Sequence, residues 1–449
     1  MKAGFVSLGC SKNLIDTEVM LGLLQESGIE VSQDPAEADI LIVNTCAFIE
    51  SAKEEAITTV LSMAEYKTAG VGKCRALIVA GCLSQRYGKE LLEELPEADA
   101  IIGTGACDRI MEAVEEALAG HRVVLTGEDK LLYRADTPRI LTTPSYTAYL
   151  KIAEGCNNRC AFCAIPLIRG QLRSRSVEDI VKEAERLVKE GVREIILLAQ
   201  DTASYGKDLY GEPKLAYLLQ SLCRIEKLDW IRILYSYPRF FNDELIETIA
   251  REPKVVKYVD LPLQHGDDTV LRNMRRPDTN EGMRALIKKL REKIPGVAIR
   301  STFIVGFPGE TEEQYQTLRR FLEEMRFDKL GVFTYSREED THAYDLPNQV
   351  AEAVMEERYH DLMALQAKIS EEINQSLVGR ELDLLVEGRE IDDEGRDENV
   401  VYGRSYREAP DVDGSVYLEG DEDSQPGDII QVRAVAGFAY DVVTERVNE

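Results

Sequence analysis

The sequence predicts an α/β fold in three parts: an N-terminal parallel α/β sheet domain, a central partial barrel of six βα units, and a small C-terminal all-β barrel. Short β-branched apolar runs alternate with helical patterns through residues 1–120 and again through residues 147–340. This alternation is typical of parallel sheets flanked by helices. From Ser376 onward, alternating segments separated by Gly, Asp and Pro favour a small barrel of oligonucleotide-binding type.

The N-terminal domain is predicted to span residues 1–120. Its helical patterns lie at residues 15–25 and 50–66, between candidate strands at residues 3–8, 39–44, 75–80 and 98–103. Residues 121–146 are predicted to be a connector, with the run Thr142-Thr143-Pro144-Ser145 as its loop-like end.

The central domain is predicted to span residues 140–372, with candidate strands at residues 148–153, 194–200, 230–236, 258–263, 298–306 and 330–335. Ser176 predicts a helix start, because its side chain can cap a helix and the acidic Glu178 and Asp179 favour the first turn. Six units are too few for an eight-unit barrel, so the sequence predicts a partial, open one.

A charged helical pattern at residues 350–375 precedes the C-terminal domain, which is predicted to span residues 375–445. Its candidate strands lie at residues 382–386, 399–405, 415–418, 428–435 and 439–443. Their regular spacing and alternation predict the small all-β barrel.

The net charge of the 449-residue chain is −27, and it is concentrated at both ends. Residues 376–449 hold 7 Lys and Arg against 20 Asp and Glu, a net charge of −13. Such a surface repels nucleic-acid phosphates and suits a basic protein partner, although acidic surfaces also serve solubility alone. No apolar stretch approaches a membrane span, and the first residues lack a signal-peptide core, so a cytoplasmic location without membrane association is expected.

Three of the nine cysteines, Cys156, Cys160 and Cys163, directly follow the first predicted strand of the central domain. Three thiolates at this spacing can hold a cubane 4Fe-4S cluster and leave one iron free to bind the amino and carboxylate groups of a substrate. A structural zinc site would need four ligands, and no nearby His or Cys supplies the fourth.

A second set, Cys10, Cys46 and Cys82, follows three predicted strands of the N-terminal domain. The carboxyl ends of parallel strands meet at one edge of a sheet, so these residues predict a second three-cysteine cluster site. Cys107 is a further candidate for a fourth ligand, whereas Cys74 and Cys223 are expected to be packing residues.

The spacing of Cys156, Cys160 and Cys163, with Phe162 before the last cysteine, resembles the signature of the radical S-adenosylmethionine (SAM) superfamily. When the N-terminal cysteines and the C-terminal β module are included, the resemblance covers nearly the whole chain and is to the methylthiotransferase family. The resemblance implies an auxiliary 4Fe-4S cluster in the N-terminal domain, a SAM-binding 4Fe-4S cluster in the central one, and a TRAM domain at the end. The ligands would be the N-terminal and central cysteine sets, respectively.

Further SAM contacts are expected at the carboxyl ends of the barrel strands, where barrel active sites lie. The resemblance points to Gln200, Gln264, Gly306, Pro308 and Gly309, although a Gly-Phe-Pro-Gly turn can also be purely structural. For His265, a structural hydrogen bond and a substrate role are both open. Arg169, Arg173 and Arg175 follow the cysteine loop, and they could bind a substrate carboxylate or acids at the surface.

Two branches of the family compete: one modifies an adenosine in tRNA, the other the β-carbon of an aspartate in small-subunit ribosomal protein twelve. Residues 198–206 and 261–265 resemble the protein-modifying branch, since the tRNA branch usually has Gly-Gln-Asn in place of Ala199-Gln200-Asp201. The acidic C-terminal domain favours the basic protein as partner and argues against a nucleic-acid substrate.

The resemblance implies that SAM is used twice, once as methyl donor and once as the source of a 5′-deoxyadenosyl radical, with an electron donor such as flavodoxin or ferredoxin. An alternative from another class is an iron–sulfur electron carrier or redox sensor. Such a protein closes its cluster with four thiolates and needs no substrate cavity, so the open three-cysteine sets favour the enzyme.

Overall fold

The computed structural model describes residues 1–68, 70–127, 131–391, 397–421 and 423–447, with the side chains of residues 397–399 left aside. It has the three predicted parts in the predicted order. Within the described residues, we find no helix that combines the length and the apolar character needed to cross a membrane.

The strands of the N-terminal domain are β1 (Lys2–Ser7), β2 (Glu30–Ser32), β3 (Ile40–Thr45), β4 (Ala76–Gly81), β5 (Ala100–Gly103) and β6 (Val123–Leu125). They form a parallel sheet in the order β2-β1-β3-β4-β5-β6. Its helices are α1 (Ser11–Glu26), α2 (Glu50–Ala64), α3 (Cys82–Glu94) and α4 (Ile110–Leu118). Side chains of β3 and β4 are buried on both faces, as expected for a sheet covered on both sides by helices.

Two strands of this sheet, β2 and β6, were not predicted. Each pairs with one neighbour only and lies at an edge of the sheet. Because each has only three residues, neither has a hydrophobic period long enough to be recognised. β6 lies in the region predicted to be a connector, and the sheet therefore extends beyond residue 120.

In the central domain, β7 (Thr147–Lys151), β10 (Glu194–Leu198) and β11 (Trp230–Ile233) form one parallel sheet. A second contains β12 (Tyr258–Gln264), β13 (Ala298–Val305) and β14 (Lys329–Thr334). A bridge between Ile231 and Val255 joins the two, which confirms the partial barrel of six strands. A hairpin of β8 (Ala153–Glu154) and β9 (Arg173–Ser174) lies beside it.

Eight helices of this domain lie between its strands in the described chain: α5 (Ile165–Arg169), α6 (Val177–Lys189), α7 (Lys207–Tyr210), α8 (Leu215–Leu222), α9 (Asp243–Arg251), α10 (Asp268–Asn273), α11 (Asn280–Lys293) and α12 (Glu312–Met325). The predicted start of α6 is confirmed, because the Ser176 hydroxyl accepts a hydrogen bond from the backbone N–H of Asp179. The helix α13 (Glu352–Gln375) then leads to the C-terminal domain.

The C-terminal strands are β15 (Glu381–Ile391), β16 (Asp397–Arg404), β17 (Val416–Glu419), β18 (Ile429–Gly437) and β19 (Val442–Arg446). They close into a barrel in the order β15-β16-β17-β19-β18, which confirms the predicted all-β module. The last strand was predicted at residues 439–443, too early by three residues. The backbone N–H of Phe438 bonds to the carbonyl of Asp441, so those residues form the turn before β19.

The three domains share one apolar cluster inside the partial barrel. Ile15 and Val19 of α1 pack there with barrel side chains such as Ile196, and Leu385 and Ala409 come from the C-terminal domain. Both terminal domains therefore pack side chains into the interior of the partial barrel.

Candidate active site

Cys10, Cys46 and Cys82 leave the carboxyl ends of β1, β3 and β4, as predicted, and Cys82 is the first residue of α3. Gly9 shows how closely the loops approach, since a Cβ atom there would lie 2.8 Å from the Cβ and 3.3 Å from the Sγ of Cys46. Gly9 also has φ +85°, a conformation that side chains other than glycine rarely adopt. The structure thus brings the N-terminal set to one edge of the sheet.

The thiols of this set differ in their electrostatic environment. Burial raises the pKa of Cys82 to about 12, and burial also raises the pKa of Cys46. Burial opposes ionisation of Cys10 as well, but the positive charges of Lys12 and Arg169 lower the pKa of its thiol overall. The half-buried Cys46 and the buried Cys82 therefore need a metal or a cation to become thiolates.

Cys156, Cys160 and Cys163 lie on the loop between β8 and α5. The backbone N–H of Cys156 bonds to the carbonyl of Gly170 at 3.0 Å, and that of Cys163 bonds to the carbonyl of Cys160 at 3.2 Å. Burial raises the pKa of Cys156 to about 12 and also raises that of Cys163. The three cysteines therefore lie together on one tightly folded loop.

Arg276 is a neighbour of the central set that sequence reasoning missed. Its Nη1 atom lies 4.0 Å from the Sγ of Cys160, and its guanidinium carbon lies 4.1 Å from the centroid of the Tyr237 ring. It also donates a 2.9 Å hydrogen bond to the carbonyl of Pro262. Arg276 is more than one hundred residues from Cys160 in the chain, so no spacing rule could have paired them.

In the described chain, no three His, Cys, Asp or Glu side chains surround a single metal ion. A 4Fe-4S cluster does not need three side chains around a single metal ion, because each thiolate binds a different iron of the cluster. Two groups of three thiols, each beside an arginine, are a donor set that fits such clusters.

Gln200 and Gln264 lie at the carboxyl ends of β10 and β12, where SAM contacts were predicted. The Gln200 amide nitrogen donates a 2.6 Å hydrogen bond to Glu154, and its buried Oε1 atom has no partner within the described residues. Gln264 adopts a left-handed conformation with φ +74°. The unpaired amide oxygen of Gln200 leaves an acceptor for a ligand.

The turn that contains Gly306, Pro308 and Gly309 packs on the central cysteine loop, since Phe307 and Ala161 belong to one apolar cluster. Gly306 and Gly309 have φ +77° and +82°. A Cβ atom on Gly306 would lie 2.1 Å from the Met355 side chain, so packing alone already requires glycine there.

His265 is buried, and both of its ring nitrogens face groups of the protein. Its Nδ1 atom accepts a 3.0 Å hydrogen bond from the backbone N–H of Asp267, and its Nε2 atom lies 3.2 Å from Glu310. These contacts favour the structural alternative. Cys107 is fully buried, with its sulfur 3.7 Å from the carbonyl of Thr104, so it is placed in the core of the N-terminal domain.

Arg169 and Arg175 do not reach the surface, which corrects the expectation that they bind acids there. Arg175 is buried and pairs with Asp179 at 2.7 Å and Glu183 at 2.6 Å. Arg173 donates to the backbone carbonyls of Gln171 and Arg169 at 3.2 and 3.3 Å.

Arg169 belongs to a buried charge network that joins the two cysteine-bearing domains. It donates to Asp16 at 2.9 Å and to Glu154 at 3.1 Å, and its Nη2 atom lies 3.6 Å from the Sγ of Cys82. Lys151 bridges the same two acids at 2.6 and 2.8 Å. Two cations and two anions balance, so the network is neutral and fully paired within the protein.

A cavity of about 340 Å³ opens where the three domains meet. The N-terminal domain contributes Cys10 and Leu14 to its wall, the partial barrel contributes Tyr235 and Arg300, and the C-terminal domain contributes Asp411. A ligand of side-chain size can therefore lie beside the N-terminal cysteine set and inside the barrel at once.

Comparisons with known proteins agree with these three parts. Residues 150–322 match the model of the radical SAM superfamily, and residues 378–447 match the TRAM domain. Residues 2–103 match a family described as uncharacterized protein family UPF0004.

Relatives named "Ribosomal protein uS12 methylthiotransferase RimO" match the whole chain. The protein of Desulforamulus reducens is 52% identical over 443 residues, which cover 98% of each chain. That of Heliobacterium modesticaldum is 51% identical over 449 residues, which cover 100% of this chain and 96% of the relative. The chain belongs to this methylthiotransferase family. Membership confirms the resemblance, and within it the ribosomal-protein branch over the tRNA branch.

Among solved structures, the radical SAM methyltransferase TsrM from Kitasatospora setae superposes with a TM-score of 0.54 at 14% identity and covers 75% of both chains. The cobalamin-dependent SAM radical enzyme OxsB superposes with a TM-score of 0.50 and covers 82% of this chain and 56% of its own. At this low sequence identity, the similarity to these two enzymes shows a shared fold and nothing more.

Proposed function

We propose that the protein inserts a methylthio group at the β-carbon of an aspartate in the small-subunit ribosomal protein uS12. The observation that carries the proposal is the shared cavity, in which Cys10, the inner wall of the radical SAM barrel and the TRAM domain face one space. The names of the relatives, each of which refers to uS12, support the same substrate for this chain. The reaction belongs to the cytoplasm, where the ribosome is assembled.

Cys156, Cys160 and Cys163 would hold the SAM-binding 4Fe-4S cluster, and Cys10, Cys46 and Cys82 an auxiliary one. When bound, the clusters supply an electron for SAM cleavage and an open iron for the transferred sulfur. The free Oε1 atom of Gln200 supports a contact with SAM. Gln264, Gly306, Pro308 and Gly309, which line the same end of the barrel, are proposed to complete the SAM site. A flavodoxin or ferredoxin is the proposed electron donor.

The chain's own residues exclude water and set the separation of the two cysteine sets. The paired side chains of Asp16, Lys151, Glu154 and Arg169 fill the space between them, and Gln200 is tied to this network through Glu154. A rigid, fully paired network would keep both sets at fixed positions on either side of a bound substrate.

We propose that uS12 docks on the acidic TRAM domain. In the described part of this domain, arginines already pair with acids of the protein, among them Arg404 with Glu194, Arg407 with Asp328, Arg433 with Glu381 and Arg446 with Asp421. Acidic side chains remain exposed, among them Asp383, Glu419 and Asp423. Internal pairing of the cations leaves the surface negative, which attracts a basic protein and repels RNA.

The decisive experiment is anaerobic reconstitution with iron and sulfide, followed by reduction and addition of SAM with purified uS12 and a suitable tRNA. Mass spectrometry of both substrates should find hydrogen replaced by methylthio on an aspartate of uS12. The same gain on tRNA alone would contradict the substrate proposal. SAM cleavage without modification of either would point to another substrate.

Two cysteine variants test the separate roles of the two sets. Cys160→Ala should abolish 5′-deoxyadenosine formation from SAM, and retention of that product would contradict the central assignment. Cys46→Ala should still cleave SAM but fail to modify uS12. Normal methylthiolation by Cys46→Ala would refute the auxiliary site.

A further inference from the structure

Lys12 lies two residues after Cys10, in the first turn of α1, and only 7% of its surface is exposed. Its ammonium nitrogen is 3.2 Å from the centroid of the Tyr235 ring. No carboxylate in the described residues lies within ion-pairing distance of this nitrogen. Burying an ammonium group without an anion is costly, so the position of Lys12 requires an explanation.

The other buried lysines of the described chain each have an acidic partner. These pairs are Lys53 with Glu50 at 2.6 Å, Lys151 with Asp16 at 2.6 Å, and Lys329 with Glu408 at 3.4 Å. Lys12 is the exception among these four residues. Apart from the Cys10 thiol, whose pKa it lowers, Lys12 has no anionic partner in the described chain, so a bound ligand could supply one.

Tyr235 places the Lys12 ammonium beside the cavity. Its φ of +60° is rare for a bulky residue, and the surroundings hold it there. The backbone N–H of Tyr235 donates to Asp260 at 2.9 Å, and its carbonyl accepts a 3.0 Å bond from the backbone N–H of Thr202. The ring face attracts the cation but does not neutralise it. Tyr235 and Cys10 both line the cavity, which places the Lys12 ammonium directly behind its wall and close to the N-terminal cysteine set.

Arg300, the cation in the cavity wall, is already paired. It lies 3.3 Å from Asp260 and 3.6 Å from Asp413. Among the described residues, Lys12 is therefore a cation near the cavity without a carboxylate partner, available for a negatively charged ligand.

We propose that Lys12 is a substrate-binding residue that donates hydrogen bonds to the side-chain carboxylate of the target aspartate. The inference rests on the proposed function, because it takes that aspartate as the ligand. The β-carbon is bonded directly to this carboxylate, so fixing the carboxylate beside Cys10 also fixes the reacting carbon near the N-terminal cysteine set. An asparagine in the same place would lack the charge that Lys12 selects.

The test uses the reconstituted full-length protein and two forms of uS12, one with the target aspartate and one with asparagine in its place. Wild-type protein should bind the aspartate form more tightly. Lys12→Met should lower kcat/KM for uS12 by about thirtyfold or more, since an unpaired buried charge remains on the substrate. It should also bind both forms of uS12 equally. Lys12→Arg, which keeps the charge, should restore the preference for aspartate.

Lys53→Met is the matched control, because Lys53 is also a buried lysine near a tyrosine ring but has its own acidic partners. Lys53→Met should retain the wild-type kcat/KM for uS12 and the preference for the aspartate form. Equal binding of the two uS12 forms by wild-type protein, or a Lys12→Met rate equal to wild type, would overturn the inference alone. Loss of iron from Lys12→Met would assign Lys12 to the cysteine set and overturn it too. Failure of wild-type protein to modify uS12 would instead refute the proposed function.

Discussion

Arg404 of the TRAM domain donates a 2.7 Å hydrogen bond to Glu194, the first residue of β10. Glu194 accepts a second bond of 2.9 Å from Arg232, and all three side chains are buried. The C-terminal domain is thus joined to the barrel interior by a charge cluster. Glu387, 2.8 Å from Arg404, is the second anion, so two arginines and two glutamates balance, and removing one member would leave the others unbalanced.

This cluster predicts a loss of stability in acid. Burial would raise the pKa of Glu194, but Arg404 and Arg232 lower it to about 2. A carboxylate whose pKa is lowered by folding stabilises the protein above its unfolded pKa, and the contribution, about 3 kcal/mol, is lost as the pH falls toward the folded value. Urea unfolding of protein prepared without iron–sulfur clusters, from about pH 5 down to about pH 2, measures this loss.

Glu194→Gln is the control for this pH dependence. It lacks the titrating group, so its stability should change less over the same range. An identical pH profile for the variant and the wild type would show that Glu194 does not carry the effect.

Arg169→Gln should destabilise the protein by about 3–5 kcal/mol, because Asp16 and Glu154 would keep only one cation between them in a buried site. The double variant Asp16→Asn, Arg169→Gln leaves the pair of Lys151 and Glu154 and should lose less. The free energies of unfolding of these proteins, prepared without iron–sulfur clusters, are compared by urea unfolding. If the double variant lost as much stability as the two single variants together, charge balance would not explain the effect of Arg169→Gln.

Arg276→Met should lower the rate of SAM cleavage by about tenfold, because a cation and a hydrogen-bond donor near Cys160 are lost. Arg275→Met is the matched control, since Arg275 precedes it in the chain but is exposed. The measurement is 5′-deoxyadenosine formed by reduced, reconstituted protein. Equal losses in both variants would assign the effect to the loop and not to the contact with Cys160.

Gly9→Ala should remove the N-terminal cluster and leave the central one, so the iron content should fall from about eight to about four per chain. The added methyl group would press on Cys46. Gly28→Ala is the control, because Gly28 has a similar φ of +79° but no atom within 4 Å of the added carbon. Iron analysis after reconstitution decides, and equal losses in both variants would implicate backbone strain instead of the contact with Cys46.

Most of the fold could be predicted from the sequence, because its signals are local. The strands of the partial barrel carry apolar runs of four to eight residues, and their order along the chain is their order in the barrel. β2 and β6 were missed since three residues give no period. The last strand was misplaced because a turn at residues 438–441 has an apolar composition.

The sequence by itself determined the three domains, the two cysteine sets and the acidic C-terminal domain, since each depends on spacing or composition. Only the tertiary structure decided which charges meet. Asp16 and Lys151 are 135 residues apart, yet they form a 2.6 Å ion pair, and Asp16 also binds Arg169, for which a substrate carboxylate and surface acids had both been open as partners. The unpaired state of Lys12 is likewise invisible in the sequence, because a missing partner is defined by every segment that packs around the ammonium group.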